Sequence, residues 1–404
     1  MIDVVKKLDS IKWIKLNKGS YSRTPGIGRN RTSRIQASPF LIKRFDDFGF
    51  SLNLLPTYLG RECLILKDGI VDIGSDGEEK SNSVPIEYQD TPHTIGIRSI
   101  LQKYNELLQS THIDICDLDT PILQREIQSK NGKVDTYKVS VAQHNKFIRR
   151  IFSEGSWQKH GRMYGGFWQQ IDEVSRSKIF IDHHDTLEVD FKALHLNLLY
   201  AYFVGEPLIH SKDPYILECF SDSKETTDVL RNRVKKLMLP LINAKSRKSA
   251  FKAYRNSAPK GSPDKRLTDN QLGELLDNFI YEHPLLEPFL CKGMGNDLMY
   301  LDGEITFEII KQLTEQQIPV LTIHDSYIVK SNNFVDLRTA MSSASLRITG
   351  TDLVAVQEQF NTKPNIPFSF YEENYLNSAC NLYICDSYET RYKEWKNDLD
   401  FTSH

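Results

Sequence analysis

Asp190 and Asp325 each stand where an alternating apolar run breaks off, and a pair of carboxylates so placed is suited to metal-assisted phosphoryl transfer. The runs read KIFIDHHDTLEVDFK over 178–192 and IPVLTIHDSYIVK over 318–330. Two Mg2+ ions held roughly 3.5–4 Å apart need at least two shared carboxylates from separate elements; one ion activates the attacking hydroxyl and the other neutralises the leaving pyrophosphate. Alone, neither acid is informative. An Asp at a strand end commonly serves as a helix N-cap, and His324 beside Asp325 could be an ordinary turn residue. A third stretch, TTDVLRNRVKKLMLPLINAKSRKSAFKAYRN over 226–256, supplies positive charge. There Arg231, Lys235, Leu239 and Asn243 step by four, so a helix lines them along one slowly drifting stripe. An Arg and a Lys one turn apart suit a triphosphate, the guanidinium as a fork and the ammonium as a compact charge. The bland alternative is a basic surface helix unrelated to either acid.

Rigid elements must position these groups. Ile179 and Ile181, then Leu187, Val189 and Phe191, alternate on either side of His183-His184-Asp185-Thr186, a hairpin pattern. Ala193, Leu194, Leu198, Leu199, Tyr202 and Phe203 continue at helical spacing, which puts Asp190 at a strand end just before a helix. Two strands flanking His324-Asp325-Ser326 are expected, with helices over Glu304–Gln317 and Val335–Ile348. Ile97, Ile100, Leu101, Tyr104, Leu107 and Leu108 predict one more helix face. Ser20–Ser38 reads as a basic loop or arm, and its Gly-Ile-Gly has neither the preceding strand nor the following helix of a phosphate-binding loop. Ser75–Pro92 is polar and acidic, a linker by composition, and no internal repeat is present.

The chain has 404 residues, 40% apolar and 26% charged, enough to bury a core in one large multi-lobed domain or in two to three smaller ones. That composition excludes a disordered tail or a fibre. No run approaches the length of a membrane span, so no membrane partner is expected. Met1–Lys7 lacks the apolar core of a signal peptide, so a cytoplasmic protein is expected. Cys63, Cys116, Cys219, Cys291, Cys380 and Cys385 contain no CxxC pair and read as reduced thiols rather than a zinc site. The net charge of -2 hides two basic segments. Residues 1–44 hold eleven Lys/Arg against Asp3 and Asp9, and residues 231–266 hold twelve against Asp264 alone. Such segments on an otherwise acidic chain point to a polyanion partner or, more simply, to a solvated basic face.

Read in order, these stretches resemble the palm and fingers of single-subunit nucleic-acid polymerases, the family A DNA polymerases and phage-type RNA polymerases. Gly161-Arg162 resembles the Gly-Arg before motif A, and Glu188-Val189-Asp190-Phe191 resembles motif A. Arg231-x3-Lys235-x7-Asn243-Ala244 resembles motif B, and Ile323-His324-Asp325-Ser326 resembles motif C, in its phage-type HDS form. The resemblance spans about residues 140–350. It departs from the family at Asn243-Ala244, which replace a Tyr-Gly, and at Pro240, which should kink the motif B helix or mark its start. It departs again at His195, where DNA polymerases carry Glu and phage-type enzymes Gly.

The resemblance implies an α/β (α+β) fold of the right-hand type, with an antiparallel palm sheet. The expected layout is a basic N-terminal region (1–90), a thumb-like helical region (91–175), palm (176–204), fingers (205–315), and palm with a C-terminal region (316–404). It implies template-directed, DNA polymerase-like nucleotidyl transfer without a proofreading exonuclease, as suits replication of a mobile element. Asp190, the Phe191 carbonyl and Asp325 would hold two Mg2+ ions, or Mn2+. Arg231, Lys235, His195 and Asn243 would contact the nucleoside triphosphate, with His195 crowding a ribose enough to favour deoxynucleotides. Arg162, His324, Lys245, Arg247 and Lys248 would meet the primer–template or single strand. Two alternatives are an RNA-synthesising enzyme, a primase or small RNA polymerase, and a silent polymerase fold that only binds nucleic acid. Oligomeric state has no signature in the sequence.

Overall fold

The computed structural model describes residues 2–19, 33–48, 59–73, 79–128, 134–206, 208, 213–218, 226–353, 356–360 and 383–402. The chain divides into two compact units, residues 1–55 with 398–404, and residues 56–397. In the first, α1 (Ile2–Ser10) leads through β1 (Ile14–Asn17) to its antiparallel partner β2 (Arg34–Ala37) and then to α2 (Pro39–Asp47). Ser38 caps α2 by accepting from the Leu41 N–H, and Pro39 presets its first turn. Residues 20–32, the larger part of the basic arm with its Gly-Ile-Gly, lie outside the described residues.

The second unit begins with β3 (Leu64–Ile73), β4 (Glu79–Pro85), α3 (Pro92–Gln109), β5 (Ile113–Ile115), β6 (Ile122–Gln128), β7 (Val134–Ser140), β8 (Ile148–Ser153) and β9 (Ser156–Gly165). Then come α4 (Glu173–Arg176), β10 (Ile179–Ile181), β11 (His184–Phe191) and α5 (Leu194–Leu198), which runs into a π-helical turn over Leu199–Val204. The helices α6 (Thr227–Asn243), α7 (Arg247–Ser257), α8 (Asp269–Glu282) and α9 (Gly295–Glu315) follow. Last are β12 (Leu321–Ile323), β13 (Ser326–Lys330), α10 (Phe334–Thr349), β14 (Val356–Phe360) and α11 (Asp386–Thr402), whose residues up to 397 belong to this unit. The fold is α+β with antiparallel sheets, apart from the parallel pairing of β3 with β8.

One sheet carries both acids. Its order is β12-β13-β11-β10-β5, with β14 also paired to β11. Leu187, Val189 and Phe191 turn into the core, while Glu188 and Asp190 share the opposite, half-buried face, as strand alternation requires. The second sheet, β4-β3-β8-β9, meets α9 across β9. They approach closely at Gly303, where a Cβ would lie 2.3 Å from the Gly161 carbonyl oxygen. Only glycine fits at that crossing. At the other edge of the acid-bearing sheet, α11 is fixed by a buried pair, Arg391 Nε donating to Asp114 Oδ2 at 2.7 Å.

Three expectations need correction. The turn of the 178–192 hairpin is Asp182-His183, both with positive φ, and His184–Thr186 already belong to β11. Residues 79–85 of the expected linker form β4, paired along β3, while 75–78 lie outside the described residues. The stretch 91–175 is not a helical lobe: after α3 it is mainly strands. In β8 the buried positions alternate, as Ile148, Arg150 and Phe152 do, rather than stepping by three and four. Pro240 lies within α6, one turn from its end, and α6 runs on to Asn243.

Candidate active site

The hairpin register brings the two acids together. Asp190 pairs with Ser326 across β11 and β13, and Ser326 pairs with Ile323 across the next hairpin, so the His324-Asp325 turn hangs beside Asp190. His324 takes a left-handed φ of 57° to make that turn. The Phe191 N–H donates to the Asp325 carbonyl at 3.2 Å and locks the two elements. Burial, then the facing Asp325 and Glu188, push the Asp190 carboxyl up to about 8, while Lys235 and the Phe191 N–H pull the other way. Asp325 is also raised, first by burial and then by Asp302. Asp190 Oδ1 is buried without a hydrogen-bond partner. An orphaned, buried carboxylate oxygen beside a second carboxylate is a place for a cation.

Neighbouring groups fix the surroundings of the pair. Glu188 is held in a fork by Arg176 (Nε–Oε2 2.9 Å, Nη2–Oε1 3.1 Å) and accepts from the Ser326 hydroxyl, so it serves as a wall rather than a free ligand. Arg162, on β9, donates through Nε to Asp302 of α9 and through Nη2 to His195 Nε2 at 3.1 Å. Asp302 is fully buried and its Oδ1 has no partner. Burial, then Arg162, push the His195 imidazole down to about 4, so it is neutral, accepting at Nε2 and carrying its proton on Nδ1. Arg162 therefore uses two of its three nitrogens inside the protein. The fully buried Arg150 braces the same corner, donating to the Gly161 carbonyl at 2.8 Å and to Glu304 at 2.6 Å.

The stripe on α6 forms as expected, with Lys235, Leu239 and Asn243 exposed and Arg231 half-buried. Lys235 is close enough to act electrostatically on Asp190. Arg231 is already paired: Nε and Nη2 both donate to Asp213 Oδ2, at 2.8 and 2.7 Å. Asn243 turns back on its own helix, its amide donating to the Leu239 carbonyl at 2.8 Å. The basic segment is less naked than its composition implies, since Arg233 and Lys236 share Asp264, Arg247 meets Asp277 and Arg255 meets Asp269. Lys235, Lys245, Lys248 and Lys252 make no ion pair among the described residues.

On β9, His160, Arg162 and Tyr164 share the face opposite the buried Gly161 and Met163. Tyr164 donates to His160 Nε2 at 3.1 Å, and its ring meets the exposed His324 edge-on at 6.0 Å. Imidazole and phenol rings thus run beside Asp325 with Arg162 among them.

Asp190, Asp325, Phe191, His195, Arg162 and His324 come together, and Lys235 joins them through its charge; Arg247 and Asn243 are engaged elsewhere. Sequence reasoning missed Asp302, Asp213 and Tyr164. A glycine inside a helix, Gly303, was the one signal that α9 approached another backbone. Among the described residues no set of three or more His, Cys, Asp and Glu side chains gathers as a metal cluster. No protein-family model matches the chain, and no curated protein matches it in sequence.

Proposed function

We propose that this protein is a nucleotidyltransferase of the template-directed, DNA polymerase-like type, with a palm formed by the acid-bearing sheet and fingers formed by α6–α9. The observation that carries the reading is the orphaned, buried Asp190 Oδ1 set against Asp325 within the field of Lys235. The reaction joins a 3′-hydroxyl to the α-phosphate of a nucleoside triphosphate and releases pyrophosphate. Such transfer needs positioning and charge stabilisation rather than covalent catalysis. Asp190, Asp325 and the Phe191 carbonyl would hold Mg2+ or Mn2+, which when bound supplies activation of the hydroxyl and charge for the pyrophosphate. Lys235 supplies positive charge to the triphosphate from α6, with Arg231, already paired to Asp213, beside it. Arg162, clamped by Asp302, and the rings of Tyr164 and His324 receive the acceptor strand, whose bases stack on aromatic faces. A fold that only bound nucleic acid would gain nothing from burying an unpaired carboxylate oxygen, which costs stability.

RNA synthesis is the second reading. It is favoured by Ser326 and by the absence of a carboxylate at position 195, where a neutral imidazole is tied to Arg162. Primer extension on DNA and RNA templates, with dNTPs and NTPs supplied separately in Mg2+ or Mn2+, tests both. Incorporation of dNTPs alone supports the first reading, incorporation of NTPs alone the second, and no incorporation under any condition overturns both.

A further inference from the structure

The positions that should shape a nucleotide's sugar and base are engaged elsewhere. Asn243 bonds back to Leu239, and its Oδ1 sits where a Cβ on Gly295 would come within 1.8 Å. His195 is held by Arg162. A different aromatic residue stands at the α6 stripe. Between α6 and the short segment 213–218 lies a cavity of about 170 Å3, walled by Leu217, Leu230 and Val234, with Tyr215 and Arg231 among its polar lining.

The segment is built to hold that shape. Asp213 accepts Arg231 at Oδ2 and the Tyr215 N–H at Oδ1 (2.9 Å). His283, at the end of α8, donates from Nε2 to the Pro214 carbonyl at 3.1 Å. Its Nδ1 accepts from the Tyr200 hydroxyl at 3.0 Å, so neutral His283 is fixed in one tautomer. Tyr215 lies within electrostatic reach of Asp213, Arg231 and Asp325. Burial, then Asp213, push its phenol up to about 12, so it stays a donor, and the hydroxyl has no protein partner among the described residues.

We propose that this cavity receives the nucleoside portion of an incoming nucleoside triphosphate, with the Tyr215 ring as its positioning wall and the phosphates running past Arg231 toward Lys235 and Asp190. The inference rests on the nucleotidyl-transfer reading and adds a residue from outside the expected motifs. An apolar wall, one ring, one phenolic donor and the Arg231 guanidinium match a heterocycle and sugar carrying an anionic tail, while Glu218, also on the lining, is left to the sugar side.

Binding distinguishes the nucleoside from its phosphates. Two probes serve: a deoxynucleoside triphosphate carrying an N-methylanthraniloyl fluorophore, and inorganic tripolyphosphate as competitor, both on full-length protein with Mg2+. Tyr215→Ala should weaken the fluorescent nucleotide about tenfold or more, the loss expected for a stacked base, and leave tripolyphosphate unchanged. Tyr215→Phe keeps the ring and should hold nucleotide affinity within about twofold. Lys235→Ala should weaken both probes. If Tyr215→Ala binds the nucleotide as wild type does while Lys235→Ala loses it, or if Tyr215→Ala loses both probes equally, the cavity assignment is overturned and the nucleotidyl-transfer reading stands. Failure of the wild type to bind either probe overturns both.

Discussion

Asp190 and Asp325 are set against one another by strand register: Asp190 faces Ser326 across β11 and β13, and the residue before Ser326 is Asp325. Two acids so placed repel unless a proton or a cation stands between them. Their arrangement costs stability, which makes it measurable without any substrate.

With the Asp190 carboxyl pushed up to about 8, the folded chain holds a proton that the unfolded chain gives up near pH 4. Stability from this group is full below about pH 4 and is lost as pH rises toward about 8. Asp190→Asn should flatten that slope and, in EDTA at the alkaline end, exceed wild-type stability by on the order of a few kcal/mol in urea unfolding. Mg2+ should raise the wild-type Tm and leave the variant's unmoved, since only a group that binds the ion in the folded state gains from it. A variant less stable than wild type at alkaline pH, or equally stabilised by Mg2+, would show that the carboxylates are not opposed.

Gly303→Ala tests the crossing that carries Asp302 to Arg162. Its Cβ would meet the Gly161 carbonyl oxygen at 2.3 Å, and backbone cannot rotate aside as a side chain can. A destabilisation of about 1–3 kcal/mol is expected in chemical unfolding, as for overpacking in general. Gly273→Ala, with nothing within 4 Å on α8, should instead stabilise by up to about 1 kcal/mol through helix propensity. Equal effects at both positions would mean that α9 does not pack closely on β9.

How much of this was legible follows from where each signal lies. The alternating runs that end in Asp190 and Asp325 are local and faced by a core, so the strands and the helix after Asp190 could be read directly from spacing, whereas the first hairpin turns at Asp182-His183, earlier than the spacing implies. Asp302 could not. Nothing in its neighbourhood distinguishes it from a surface acid of α9, and its role comes from β9, whose Arg162 is 140 residues away in sequence. The pairing of Arg231 with Asp213 has no signal in the sequence, because Asp213 lies in an irregular segment with no periodicity to place it. The strands β6, β7 and β9 carry little strand signal because they are largely half-exposed, which leaves little hydrophobic contrast along them.

Charge pairing decides which basic residues can meet a polyanion. Charge removal at Lys245, Lys248 and Lys252 should each lower the slope of log K against log[salt] by about 0.7–0.9 if a strand's phosphates lie there. Arg255→Gln should change it far less, because Asp269 already holds that guanidinium at 2.7 Å. Fluorescence anisotropy with a labelled oligonucleotide across a salt series reads the slopes. Equal slopes for all four variants would place the strand elsewhere.

The most direct measurement is single-turnover incorporation of one nucleotide onto a labelled primer–template, comparing wild type with Asp190→Asn and Asp325→Asn, each shown to be folded by circular dichroism. Removal of either carboxylate should cost several kcal/mol of transition-state stabilisation, so each variant should fall by at least about a thousandfold in rate. Incorporation by either variant at a rate close to wild type would contradict the assignment of Asp190 and Asp325 as the centre of the chemistry.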